Sequence, residues 1–198
     1  SVYLWAVECA HVTGKMSDAE YEKALDDTKK LVDQFQTVVD ESEAWYDRNR
    51  TTIVNSDRLY FLGYGIDVAT AIEAQLKVGE MLRLPALGYE IEEYSHGPTM
   101  AISKKQTICI IGSDEAEFEH SVDFSKSFKK YTDRVHFITC KDLGNDPRDC
   151  VFSVKTNKYL APLMFTVPFQ FVAAKGAKDI GIDTAINPFN ENLAHYKD

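Results

Sequence analysis

No apolar run in this chain approaches the roughly 20 residues that a membrane-spanning helix requires, so no membrane partner is expected. The apolar opening, Val2–Val12, is too short to span and has no basic stretch before it, so it does not read as a membrane or signal segment. Paired cysteines are missing as well. The four cysteines (Cys9, Cys109, Cys140 and Cys150) form no CxxC pair and no His-Cys metal spacing. Their surroundings read as core or strand positions, and free thiols fit a reducing cytosol, so the expected location is cytoplasmic. Basic charge is scarce: 22 Lys and Arg against 31 Asp and Glu leave a formal net charge of −9. That argues against nucleic-acid binding by a basic surface. It also means that an anionic ligand needs local donors, because the overall field repels it. Internal repeats, low-complexity tracts and long like-charge runs are all absent. What remains is 198 residues, 44% hydrophobic, enough for a sizeable core and suggestive of one domain plus an appendage.

The elements are legible in order. Val2–Val12 reads as a helix closed by Gly14. Ser17-Asp18-Ala19-Glu20 is a capping box, and Tyr21, Leu25, Thr28, Val32, Phe35, Val39, Ser42 and Tyr46 then recur at three- and four-residue spacing. This predicts one long helix from Ser17 to about Tyr46, followed by a polar connection over Arg48–Asn55. From Ser56 strands and helices alternate. Leu59–Leu62, Leu84–Tyr89, Gln106–Gly112, Val135–Cys140 and Cys150–Val154 read as strands, the last at an edge. Ile66–Leu82, Glu115–Tyr131 and Leu160–Lys178 read as helices, the last kinked by Pro168. On the first of these, Ala69, Ile72 and Leu76 are expected to lie on the sheet. The pattern predicts an α/β domain, a mostly parallel sheet with helices on both faces, whose ligands bind at the strands' carboxyl ends.

Chemistry-bearing residues concentrate in Leu59–Met100. Glu73, Lys77 and Glu80, spaced i, i+4, i+7, share one helix face. His96-Gly97-Pro98 follows the next strand. Taken singly, the first group fits an ordinary exposed ion pair and His96 a turn residue; together, after one strand, they form a set able to move protons on a small molecule. Gly63-Tyr64-Gly65 lacks the third glycine of a dinucleotide fingerprint. Glu90, Glu92 and Glu93 read as a solvated acidic group, with no histidine in helical register to make a metal site. His120 and His136 read as a surface-helix and a strand residue without assigned roles.

At these residues the chain resembles the sugar isomerase (SIS) domains of phosphosugar isomerases. Phe61-Leu62-Gly63-Tyr64-Gly65 is similar to the family's F-L-G-R-G, Ile72–Glu80 (I-E-A-Q-L-K-V-G-E) to L-E-G-A-L-K-L-K-E, and Glu93–Pro98 to E-x-x-H-G-P. Val167–Gln170 and the tail Asn187–Ala194 continue the resemblance, which covers nearly the whole chain. It implies a three-layer α/β/α, flavodoxin-like SIS domain acting on a sugar phosphate, with no cofactor and no metal. By position, Glu80 matches the glutamate that moves a proton between C1 and C2 through an enediol or enolamine. Lys77 matches the lysine one turn earlier, and Glu73 a supporting glutamate. His96 matches a histidine that assists ring opening and reaches the neighbouring subunit's site, which implies a homodimer or higher homo-oligomer. His195 falls at or beside the family's C-terminal sugar-contacting lysine, but the reading here is Asn-Leu-Ala-His. Glu80 is expected at the sheet's carboxyl edge.

The family's Ser/Thr-rich phosphate loop has no counterpart in this sequence, and the chain does not begin with Met. The expectation is therefore a C-terminal half: residues 1–50 as the end of a preceding SIS domain plus a linking helix, 51–198 as the C-terminal SIS domain, with roughly 150 residues, one domain's worth, upstream. The alternatives within the resemblance are a fructosamine-6-phosphate deglycase, which uses the same base, and a non-catalytic sugar-phosphate-sensing module.

Overall fold

The computed structural model describes residues 2–113 and 115–188. At its centre lies a five-stranded sheet, ordered β2-β1-β3-β4-β5, in which every neighbouring pair is parallel. The strands are β1 (Arg58–Gly63), β2 (Ala86–Glu90), β3 (Gln106–Gly112), β4 (Val135–Thr139) and β5 (Cys150–Val151). A strand covered on both faces loses polar–apolar alternation and reads as a continuous apolar run. β1 and β3 show this directly. Leu59, Phe61, Cys109 and Ile111 enter one core, while Tyr60, Leu62, Ile108 and Ile110 enter the other.

Helices α3 (Phe35–Val54), α4 (Asp67–Lys77), α7 (Ala161–Phe165) and α8 (Val167–Asp179) cover the first face. The second is covered by α5 (Ile91–Ser95) and α6 (Phe118–Phe128). The three-layer α/β/α reading holds. α1 (Val2–Val12) and α2 (Asp18–Asp33) precede these layers; α2 enters the core through Leu31, and Tyr3 of α1 packs against it. The capping box is formed as read, the Ser17 N–H donating to Glu20 Oε2 at 2.9 Å and the Glu20 N–H to Ser17 Oγ at 3.3 Å. No described helix is long and apolar enough to cross a membrane.

Three expectations are corrected. The single long helix is two, broken at Gln34 (φ −104°, ψ 6°). α2 buries only Ala24 and Leu31, whereas α3 buries Val38, Ser42, Trp45, Tyr46, Asn49 and Ile53. The break lets α3 follow the sheet on its own axis, a packing demand with no glycine or proline to mark it. The polar connection at Arg48–Asn55 is helical to Val54. Its polar Asn49 is buried because its amide donates to the carbonyls of Trp45 and Pro147. Lastly, Ile72 (53% exposed), Leu76 (48%) and Ala69 face outward; α4 instead buries Asp67, Thr70, Ala71 and Ala74. That small-residue face lies so close to β2 that a Cβ on Gly88 would come within 2.9 Å of the Ala71 carbonyl oxygen. The third long helix is interrupted at Thr166, just before Pro168, as its sequence predicts.

Candidate active site

The sheet's strand order reverses between β1 and β3, and ligands of such sheets bind beyond the carboxyl ends at that point. Here that crevice holds carboxylates. Glu115 Oε1 accepts the Ile66 N–H at 3.3 Å, at the entry to α4, and Lys158 Nζ lies 3.2 Å from Glu115 Oε2. Next to it Asp67, 1% exposed, accepts the N–H and Oγ–H of Ser113 at 2.8 and 2.9 Å. Burial pushes the Asp67 carboxyl up to about 6, against the lowering effect of the two Ser113 bonds, and neighbouring Glu115 adds to the rise. At this helix start the Ile66 N–H and both Ser113 donors are engaged by the protein's own acids, and the Asp67 and Val68 N–H groups by the Tyr64 and Gly65 carbonyls.

The Glu73–Lys77–Glu80 cluster lies elsewhere. α4 starts at the carboxyl end of β1 and runs back along the sheet. Its 11 residues, at 1.5 Å each, cover about the length of the strand it follows. A single π-helical turn, Val78–Leu82, prolongs it. The chain then enters β2 directly, and the Pro85 carbonyl accepts the N–H of Leu59 in β1. Glu80 therefore sits near the strands' amino ends, not at the carboxyl edge as expected. A helix antiparallel to its strand carries its last residues to the opposite edge.

Within that cluster the predicted residues do meet. Lys77 Nζ stands 3.2 Å from Glu80 Oε2 and 3.8 Å from Glu73 Oε1. All three side chains are one-third to one-half exposed, so solvent reaches the group. Space beside Gly79 is open. π-turns are rare and recur at functional sites, because one extra residue per turn re-aims the side chains beyond it. This one ends at Arg83, whose N–H donates to the Val78 carbonyl and whose φ of 58° and ψ of 26° are left-handed, the one non-glycine positive φ among the described residues. Such a conformation costs a side-chain-bearing residue about 1–2 kcal/mol.

His96 is not part of this group. It follows β2 and α5 at the carboxyl side, is exposed, and contacts the Glu92 carbonyl through Nδ1 at 2.9 Å. The whole of β2, five residues or about 13 Å of sheet, lies between it and the turn that carries Glu80. His195 lies outside the described residues.

The sequence reading missed Arg83 and Glu115, because neither belongs to a local motif. It also assigned no partner to His120. That ring reaches Glu92 at 2.7 Å and Glu117 at 3.6 Å, and the three ligand atoms lie within 4.8 Å of one another. They could hold a cation, but the His120–Glu92 hydrogen bond alone accounts for the arrangement.

A family model described as the SIS domain matches residues 52–177. Among curated proteins, the glutamine–fructose-6-phosphate aminotransferase (isomerizing) of Clostridium tetani is 23% identical over 92% of this chain, and that of Methanosarcina mazei 26% identical over 94%. The chain spans only 30% and 31% of those two proteins. Among solved structures, a protein from Clostridium difficile 630 assigned as a phosphosugar isomerase superposes with a TM-score of 0.80 at 25% identity, covering 96% of this chain and 53% of its own. The C-terminal domain of glucosamine-fructose-6-phosphate aminotransferase from Francisella tularensis shares the fold, with a TM-score of 0.72 at 19% identity, over 91% of this chain and 51% of its own. A match over most of the sheet and its covering helices, joined to the L-K-x-x-E and H-G-P residues read above, leads to one conclusion: the chain belongs to the SIS domain family.

Proposed function

We propose that this chain carries the proton-transfer half of a phosphosugar isomerase, with Glu80 as the base. The observation that carries the reading is the cluster itself: Lys77 held between Glu73 and Glu80 where α4 passes into a solvent-reachable π-turn. Isomerising a ketose 6-phosphate requires removal of a proton from carbon next to a carbonyl and its return to the neighbouring carbon. A carboxylate does both when it reaches the C–H directly, within about 3 Å in a productive pose. Lys77 orients that carboxylate and contacts the sugar, and Glu73 supports Lys77. His96, remote from Glu80 in its own chain, assists ring opening in a second copy's site. His195 contributes from the C-terminal segment.

The names of the aminotransferase relatives support a hexose 6-phosphate as the substrate class. The carboxylates at the β1–β3 crevice support phosphate recognition by a domain other than this one, upstream of residues 1–50, with 51–198 as the C-terminal SIS domain. A deglycase would use the same base and release an amine. A sensing module would have no need of a carboxylate held on a lysine.

Glu80→Gln in the full-length protein tests the assignment. Solvent deuterium exchange into the substrate at C1 or C2 should fall by about 10²–10⁴-fold while ligand binding persists, as expected on losing a general base. Unchanged exchange would remove Glu80 from the role. Amine release from a fructosamine 6-phosphate, measured alongside, separates the deglycase from the isomerase.

A further inference from the structure

Arg83 does three things at once. Its N–H closes the π-turn on the Val78 carbonyl at 3.0 Å. Its left-handed backbone ends that turn and directs the chain into β2. Its guanidinium reaches across about a hundred residues, donating from one Nη to the carbonyls of Asp183 (3.3 Å) and Ile186 (2.6 Å). The Nε is buried and bonds no described group. The segment it holds follows α8 through Gly181, and inside that segment the Ala185 N–H bonds Asp183 Oδ1 at 2.9 Å. Two carbonyls gripped by one cation make a stronger tie than neutral bonds of the same length.

We propose that Arg83 is a positioning residue: it fastens Asp183–Ile186 to the end of the turn that bears Glu80, and so fixes where the C-terminal segment departs relative to the proton-transfer cluster. The link is short, since Glu80 lies in the π-turn and Arg83, three residues on, caps it. The backbone strain at Arg83 fits the same account. A glycine would adopt φ 58° more readily than arginine does, yet it would carry no guanidinium. The consequence for catalysis rests on the phosphosugar reading above; the tie between the two segments does not.

Two variants separate side chain from backbone. Arg83→Gly keeps the left-handed turn and removes the tie; Arg83→Lys keeps the charge but loses the planar, multi-donor head. Hydrogen exchange by mass spectrometry on the 198-residue chain reads the tie directly. In Arg83→Gly the peptide covering residues 182–188 should exchange at least about tenfold faster, the size expected on losing a charge-assisted bond. Peptides of β3 should be unchanged, which shows that the fold persists. Arg83→Lys should fall between. Unchanged exchange at 182–188 in Arg83→Gly, with β3 still protected, would overturn the proposal. In the full-length protein, Arg83→Gly should lower kcat/KM on fructose 6-phosphate by about tenfold, with partial recovery in Arg83→Lys. Equal activity in all three chains would overturn the positioning role even where the tie exists. If no chain, the unaltered one included, turns the sugar over, the phosphosugar reading fails, and the exchange result alone decides whether Arg83 holds the segment.

Discussion

Two buried ionisable residues, Asp67 and His136, pull stability in opposite directions with pH. His136 is fully buried in β4, donating from Nδ1 to the Arg148 carbonyl at 2.8 Å, with Trp45 edge-on at 5.6 Å and Nε2 without a partner among the described residues. Burial above all, with the cations Lys129 and Arg148, lowers it from 6.5 to about 4, against the Arg148 carbonyl bond and the charge of Asp146. Between those values the unfolded chain binds a proton that the folded one refuses, so this residue's contribution is lost as pH falls from 6.5 toward 4. Asp67 runs the other way. Its folded value of about 6 exceeds the unfolded 3.8, so the folded state holds the extra proton and its contribution is lost as pH rises from 3.8 through 6. Each effect amounts to about 3 kcal/mol at most, since a tenfold change in proton affinity is worth about 1.4 kcal/mol. The windows overlap, so the unaltered chain should show a shallow profile in urea denaturation between pH 4 and 6. His136→Phe should leave stability falling with pH over that range, and Asp67→Asn should leave it rising. Parallel profiles in the two variants would contradict the assignment.

At the level of an element, α4 is held to the sheet by its small face and not by its large apolar residues. Gly88 admits the Ala71 backbone, and the Gly88 N–H donates to Gln75 Oε1 at 2.6 Å. Gly88→Ala forces backbone against a methyl group and should cost about 1–3 kcal/mol, as overpacking does elsewhere. Because α4 leads into the Glu80 turn, the same change should also reduce turnover in the full-length protein. Replacing Ile72 and Leu76 with glutamine should alter thermal stability by less than about 0.5 kcal/mol each, the usual range for surface sites. A large loss in either glutamine variant would mean that a partner surface covers this face.

For the whole molecule the spatial separation of Glu80 and His96 makes a shared site between copies testable. Full-length Glu80→Gln and His96→Ala chains, each inactive alone, should regain part of their activity when mixed and allowed to exchange subunits. No recovery in confirmed mixed dimers counts against sharing. The 198-residue chain alone should show no micromolar binding of fructose 6-phosphate by calorimetric titration, given a net charge of −9 and the acids at the β1–β3 crevice. Micromolar binding would mean that a complete sugar-phosphate site lies within these residues. The chain also exposes Trp5 (77%) and Val12 (74%) on α1, and Val32 (67%) on α2. Exposed apolar side chains of that size favour association, so the chain's sedimentation should depend on concentration, and Trp5→Gln should weaken that dependence.

The sequence alone determined most of the sheet and the local chemistry, although the edge strand expected over Cys150–Val154 pairs only at Cys150–Val151. Buried parallel strands are continuous apolar runs, so Gln106–Gly112 was legible to its boundaries, and β1 to within one residue at each end. Glu73, Lys77 and Glu80 are neighbours on one helix, so their meeting follows from spacing alone. Ser17 and Glu20 mark a helix start by bonding each other. What the tertiary structure decided are the relations that spacing does not encode. Whether Ile72 or Ala71 faces the sheet depends on how closely β2 can approach, and Gly88 sets that distance. The break at Gln34 and the buried Asn49 reflect α3 packing on the sheet and on Pro147. The edge on which Glu80 lies depends on the path of the whole strand–helix unit, and the hold of Arg83 on Ile186 joins positions 103 residues apart. Contacts that distant form only when the folded chain brings both ends to the same edge of the sheet.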